Sequence, residues 1–113
     1  MKIAIASDNK KVSAHFGYCE AFEAFEVKDN KITGWETILN PGHKPGFLPN
    51  YLHEQGVEVI IAGGMGEKAA KIFSDNDIEV ICGASGSIED VARDYVNNTL
   101  ESTGSLCNKD HED

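Results

Sequence analysis

The stretch KVSAHFGYCE, residues 11–20, sets a histidine and a cysteine four residues apart around a glycine. Imidazole and thiolate together suit zinc, copper or iron–sulfur species. His15 and Cys19 are therefore candidate soft-metal ligands, and His43, Met65, Cys107 and His111 extend the set. Cys107 and His111 are separated by three residues, a usable ligand spacing if the chain end folds onto a metal. None of these spacings is a strong metal motif on its own. Cys19 read alone fits packing better than ligation. Cys82 closes an apolar strand and reads as a packing residue. His53 falls in an expected helix and reads as a surface residue. A serine or cysteine nucleophile would need a base within hydrogen-bond reach and a group to orient that base. His15 and Cys19 could meet in a turn, but no acidic orienter is identifiable.

A second feature is GGMG, with Gly63, Gly64 and Gly66 around Met65. Glycines between a strand and a helix let backbone N–H groups approach an anion at the helix N-terminus. The stretch completes neither GxxxxGK[ST] nor GxGxxG, so nucleotide binding is weakly supported. A tight structural turn and a glycine wall beside a bulky ligand both stay open.

These residues must be held by a scaffold. Residues 2–7 alternate as a strand, residues 21–27 as a second and residues 31–39 as a third, with Asp29 and Asn30 as a hairpin turn. NPGHKPGFLP, residues 40–49, holds all three prolines and cannot be regular structure. A helix is expected to start near residues 48–50 and to end at Gly56. Residues 57–62 form a near-continuous apolar run, as in a strand buried on both faces. Residues 67–75 read as a helix and 78–82 as a strand. Residues 88–99 read as an amphipathic helix whose apolar face is Ile88, Val91, Ala92, Tyr95, Val96 and Leu100. Alternating strands and helices in the second half require parallel strands, and the hairpin adds an antiparallel member. The expectation is one α/β domain over residues 1–100 with a five-stranded mixed sheet, followed by a flexible polar tail over 101–113. In such sheets ligands bind beyond the carboxyl ends of the parallel strands. The segment 7–17, the GGMG turn and the GASGS turn at 83–87 all leave strands at that edge.

Composition limits the partners. The 113 residues suffice for one core, and the formal net charge is −9. Such a surface repels nucleic acid and anionic membranes. No apolar run is long enough to span a bilayer, and the first residues lack a signal-peptide core, so a cytoplasmic location is expected. Three widely spaced cysteines without a CxxC argue against a disulfide framework, a zinc ribbon and a thioredoxin-like site.

Taken in order, MKIAIASD, HFGYCEAF, NPGHKPGFLPNYLHEQGVEVIIAGGMG and IEVICGASGSIEDV resemble the dinitrogenase iron–molybdenum cofactor biosynthesis family. The resemblance covers nearly all of the chain before the tail, and the HFG and IAGGMG motifs make it fairly specific. It implies a three-layer ribonuclease-H-like fold. It also implies non-catalytic binding or carrying of an iron–sulfur or molybdenum-containing cluster; its orange-protein relatives hold a molybdenum–copper sulfide cluster. Carried over, the family's histidine is His15, its turn cysteine is Cys19 and its glycine turn is Gly63, Gly64 and Gly66. Cys107 and His111 fall in the tail of a stand-alone subgroup with PGHKPGF. A P-loop scaffold protein for iron–sulfur assembly is the implied partner. Two other functions fit the residues less well. One is an interaction domain that binds a small anion or a partner protein at the GGMG and GASG turns. The other is a hydrolase on a ribonuclease-H-like scaffold, which would need clustered carboxylates where Asp8 alone is expected.

Overall fold

The computed structural model describes residues 1–42 and 47–97. The elements run β1 (Lys2–Asp8), β2 (Lys11–Val12), a 3₁₀ turn (Phe16–Tyr18), β3 (Ala21–Lys28), β4 (Lys31–Leu39), α1 (Phe47–Glu54), β5 (Val57–Ile61), α2 (Glu67–Asp75), β6 (Glu79–Ile81) and α3 (Ile88–Val96). They form one mixed six-stranded sheet with the order β4-β3-β1-β5-β6, and β2 pairs with β1 off this path. β3 is antiparallel to both β1 and β4, whereas β5 is parallel to β1 and to β6.

The α/β class and the element order match the sequence expectation, but the sheet has six strands rather than five. The extra member is β2. It is two residues long, and its hairpin turns through Asn9 and Lys10, with φ of 53° and 66°. Lysine is an unusual occupant of the left-handed region, so no sequence signal marked this turn. The Asp29–Asn30 turn uses the same conformation, with φ of 53° and 63°, as its residue types led one to expect. Gly56, just past α1, has φ +89° and ends that helix as anticipated.

Strand alternation splits the interior into two cores. Ala4, Ala6, Phe22, Ala24 and Ile60 face one side and pack with Leu48 and Leu52 of α1 and Phe73 of α2. Ile3, Ile5, Phe25, Val59 and Ile61 face the other and pack with Ile88, Val91 and Ala92 of α3. Because both faces of β1 and β5 are covered, these strands read as apolar runs in the sequence. Helices thus lie on both faces of the sheet.

Candidate functional site

His15 leaves the sheet at the carboxyl end of β1, where the chain passes over the turns that follow β5 and β6. Three backbone contacts fix its segment. Ser13 donates its N–H to Ala6 O at 2.7 Å, Gly63 N–H reaches Ser13 O at 2.8 Å, and Phe16 N–H reaches Gly64 O at 3.0 Å. The buried Ser13 hydroxyl folds the local backbone, lying 3.1 Å from both the N and the O of His15. His15 itself is exposed and precedes the 3₁₀ turn in extended conformation.

The glycine turn is explained by this crossing. A Cβ on Gly64 would lie 2.7 Å from Ala14 O, and one on Gly63 would lie 2.9 Å from Ser13 O and 3.0 Å from Ala14 Cα. All three distances are shorter than ordinary contact, and all are to backbone atoms, so no side chain fits. Gly63 and Gly64 are therefore a seat for the segment that presents His15. Met65 is fully buried in the core on the α1–α2 side, and Gly66 is the N-cap of α2.

Cys19 lies four residues on but points away from this surface. It is 3 % exposed and packs in the same core as Phe16 and Phe22. Burial pushes its thiol up to about 12, and the nearby Asp8 charge adds to this, while backbone hydrogen bonding at Ser7 works against it. A thiol held protonated inside a core is a poor ligand or nucleophile, since both roles need the thiolate. The structure thus separates the pair that the sequence set side by side. Cys82 is buried in the same core but is disulfide-bonded, which its reading as a packing residue did not anticipate, and His53 is exposed on α1 as expected. His43, Cys107 and His111 lie outside the described residues. Among the described residues, no three His, Cys, Asp or Glu side chains gather into a metal-binding group.

Two further features were not legible in the sequence. Glu20 returns beside the end of β1, where its backbone N–H binds Asp8 Oδ1 at 2.9 Å and its own Oε1 accepts from Asn9 N–H at 2.8 Å. This puts a second carboxylate next to Asp8, though both are occupied by backbone donors of the loop. The GASGS turn is likewise engaged. Gly83 and Ala84 donate to Gly63 O and Ala62 O, Val12 donates to Gly86 O, and Ile88 donates to Lys10 O. Ser87 caps α3 by accepting from Asp90 N–H at 3.2 Å. The first turn of α3 also carries Glu89 and Asp90. Two of the turn's N–H groups, those of Gly83 and Ala84, are thus used within the fold, and the acidic first turn of α3 disfavours an anion beside it.

The sequence profile of the family described as dinitrogenase iron–molybdenum cofactor matches residues 1–98. The chain is 32% identical over 106 residues to the uncharacterized protein MJ0580 of Methanocaldococcus jannaschii, covering 89% of this chain and 90% of that one. The crystal structure of PH0822 superposes with a TM-score of 0.86 at 26% identity, over 91% of this chain and 95% of that one. That of a provisionally assigned dinitrogenase of Methanocaldococcus jannaschii superposes at 0.74 with 25% identity, over 94% and 97% of the two chains.

Proposed function

Because this chain belongs to the dinitrogenase iron–molybdenum cofactor family, we propose that it binds and carries a metal–sulfur cluster, iron–sulfur or molybdenum-containing, during cofactor biosynthesis or delivery. The cluster is cargo, and the protein does no chemistry on it. The observation that carries this reading is the mounting of His15. Its imidazole is exposed at the carboxyl edge of the sheet, while its backbone is clamped by the Gly63–Gly64 seat. An imidazole carried on a clamped backbone offers one ligand without closing a cage, which suits a carrier that must release what it holds.

Cys19 takes no part in this proposal. The remaining ligands come from His43, Cys107 and His111, as the family resemblance implies. The partner is an iron–sulfur assembly protein of the P-loop class, and the location is the cytoplasm. No described helix is long and apolar enough to cross a membrane. The main path β4-β3-β1-β5-β6, with β3 antiparallel, supports reading the fold as ribonuclease-H-like.

The test uses full-length protein prepared without oxygen. Iron, molybdenum and sulfide are quantified alongside the visible spectrum, before and after cluster reconstitution. His15→Ala should lose most of the bound cluster. Cys19→Ala should keep it per folded molecule, and the double variant Cys107→Ala/His111→Ala should weaken it. A His15→Ala protein that retains cluster as well as the parent would remove the basis for this site. A parent that takes up no cluster would favour the interaction-domain reading.

A further inference from the structure

β4 is an end strand of the sheet, nine residues long, and no described residue pairs with its outer edge. The direction of that edge follows from the ladder. Met1 and Val27 exchange both backbone bonds, at 3.0 and 2.7 Å, so the odd residues of β3 bond toward β1. The even residues of β3 then bond toward β4, in the pairs Phe22–Ile38, Ala24–Glu36 and Glu26–Gly34. Asn40 N–H donating to Glu20 O at 3.1 Å continues the same pattern. The backbone groups of Trp35, Thr37 and Leu39 therefore point outward. The register shifts after Glu26–Gly34, where Thr33 is the extra residue, and Pro41 follows the strand. A bulge and a proline are common ways to blunt an edge. Here they bracket residues 35–39 and leave those unprotected.

The two most exposed large apolar residues of the strand sit in that window. Leu39 is 74% exposed and Trp35 is 46% exposed, and both side chains project to the α3 side of the sheet. We propose that two copies of the chain pair antiparallel through residues 35–39 of β4, about a two-fold axis at Thr37. Among two-fold antiparallel registers, this one sets Trp35 of each copy opposite Leu39 of the other. It also sets Thr37 opposite Thr37, an uncharged β-branched pair, and Glu36 opposite Ile38. All outward groups of residues 35, 37 and 39 then fall in bonded positions. A register centred on Glu36 would oppose two like charges. One centred on Trp35 would leave Leu39 facing Lys31 across the bulge. A second copy is thus the occupant that the segment's own side chains complement, and it makes the isologous interface a two-fold requires. The proposal is independent of the cluster reading.

Sedimentation velocity on the full chain, over concentrations rising to the millimolar range, reads the association. The parent should approach twice the chain mass. Leu39→Glu should stay at the single-chain mass with an unchanged far-UV spectrum, because Leu39 is exposed and its loss leaves the core intact. In a bonded antiparallel pair the Cα atoms lie about 5.5 Å apart, within disulfide range. Thr37→Cys should therefore cross-link two chains on mild oxidation, with the bridge mapped by mass spectrometry to position 37 of each. A parent that remains single-chain overturns the proposal and leaves the edge to residues 98–113 or to a strand of another protein. A dimer that survives Leu39→Glu, or that fails to cross-link through position 37, overturns it too.

Discussion

Cys19 and His15 show how far two neighbouring residues can differ in chemistry. His15 is exposed, whereas Cys19 is 3% exposed and its thiol is pushed up to about 12. At pH 8 such a thiol is almost wholly protonated. Cys19 should therefore resist alkylation in the native protein and react once denaturant unfolds it, as peptide mass mapping of position 19 would show. The same burial has a stability consequence. The folded thiol titrates above its model value of 9.0, so the folded state holds a proton that the unfolded state has released. Its contribution is fully present below pH 9 and is lost as pH rises from 9 toward about 12. Unfolding midpoints should fall across that window, and Cys19→Ala should fall less steeply. Equal slopes would count against the burial. Glu23 is another residue with a task the sequence concealed. Its buried carboxylate accepts from Trp35 Nε1 at 2.8 Å and Thr37 Oγ1 at 2.7 Å, and Lys10 Nζ lies 3.7 Å away. Trp35 is the sole tryptophan, so its emission reports this network. Glu23→Ala should destabilise the fold by about 1–3 kcal/mol and shift the Trp35 spectrum. An unchanged spectrum would mean that the indole is held by its stacking on Phe25, whose ring centroid is 5.0 Å away.

At the scale of elements, the crossing of segment 13–16 over the β5–α2 turn decides what the glycines do. Gly64→Ala brings a Cβ to 2.7 Å from a backbone oxygen, which no rotamer can relieve. The expected loss is about 1–3 kcal/mol in denaturant unfolding, since backbone must shift. Gly34→Ala is the control, because its nearest neighbours are the Glu26 side-chain atoms at 3.6 and 3.7 Å, ordinary contact. Equal effects at positions 34 and 64 would show that the close approach is not what selects glycine. If the clamp also serves cargo binding, Gly64→Ala should lower cluster retention beyond its effect on the folded fraction. Asn40 adds a third tie at this end of the sheet, donating from its side chain to Cys19 O at 2.8 Å. That bond links the end of β4 to the start of β3.

The whole molecule is organised by one sheet that divides two cores. Phe22 packs on the α1–α2 side and Phe25 on the α3 side, three residues apart on the same strand. Because β3 and β1 belong to both cores, the two should fail together. Phe22→Ala and Phe25→Ala should each cost about 3–5 kcal/mol. In each variant the far-UV and Trp35 transitions should coincide. Separate transitions would mean that the α3 layer opens on its own. The acidic surface, with net charge −9, also acts at this scale. It opposes self-association in general, so any pairing through β4 should strengthen as salt screens the charge.

The sequence by itself determined the order and type of the elements. Hydrophobic period, turn residues and glycines are local signals, and they marked five strands and three helices close to where they form. The apolar face of α3 was legible for the same reason, since Ile88, Val91 and Ala92 recur at helical spacing and are all buried. The two-residue β2 was not legible, because it exists only through pairing with β1 and a left-handed lysine. Tertiary structure alone decided the chemistry of the candidate site. A spacing of four residues says nothing about which side chain turns inward, and burial in the core that also holds Phe16 and Phe22 settled it for Cys19. A run of glycines is compatible with a ligand or with a crossing chain, and only the long-range contact with Ser13 and Ala14 distinguishes them. Side-chain direction and close approach are set by residues far apart in the chain, so local pattern named the candidates and the fold sorted them.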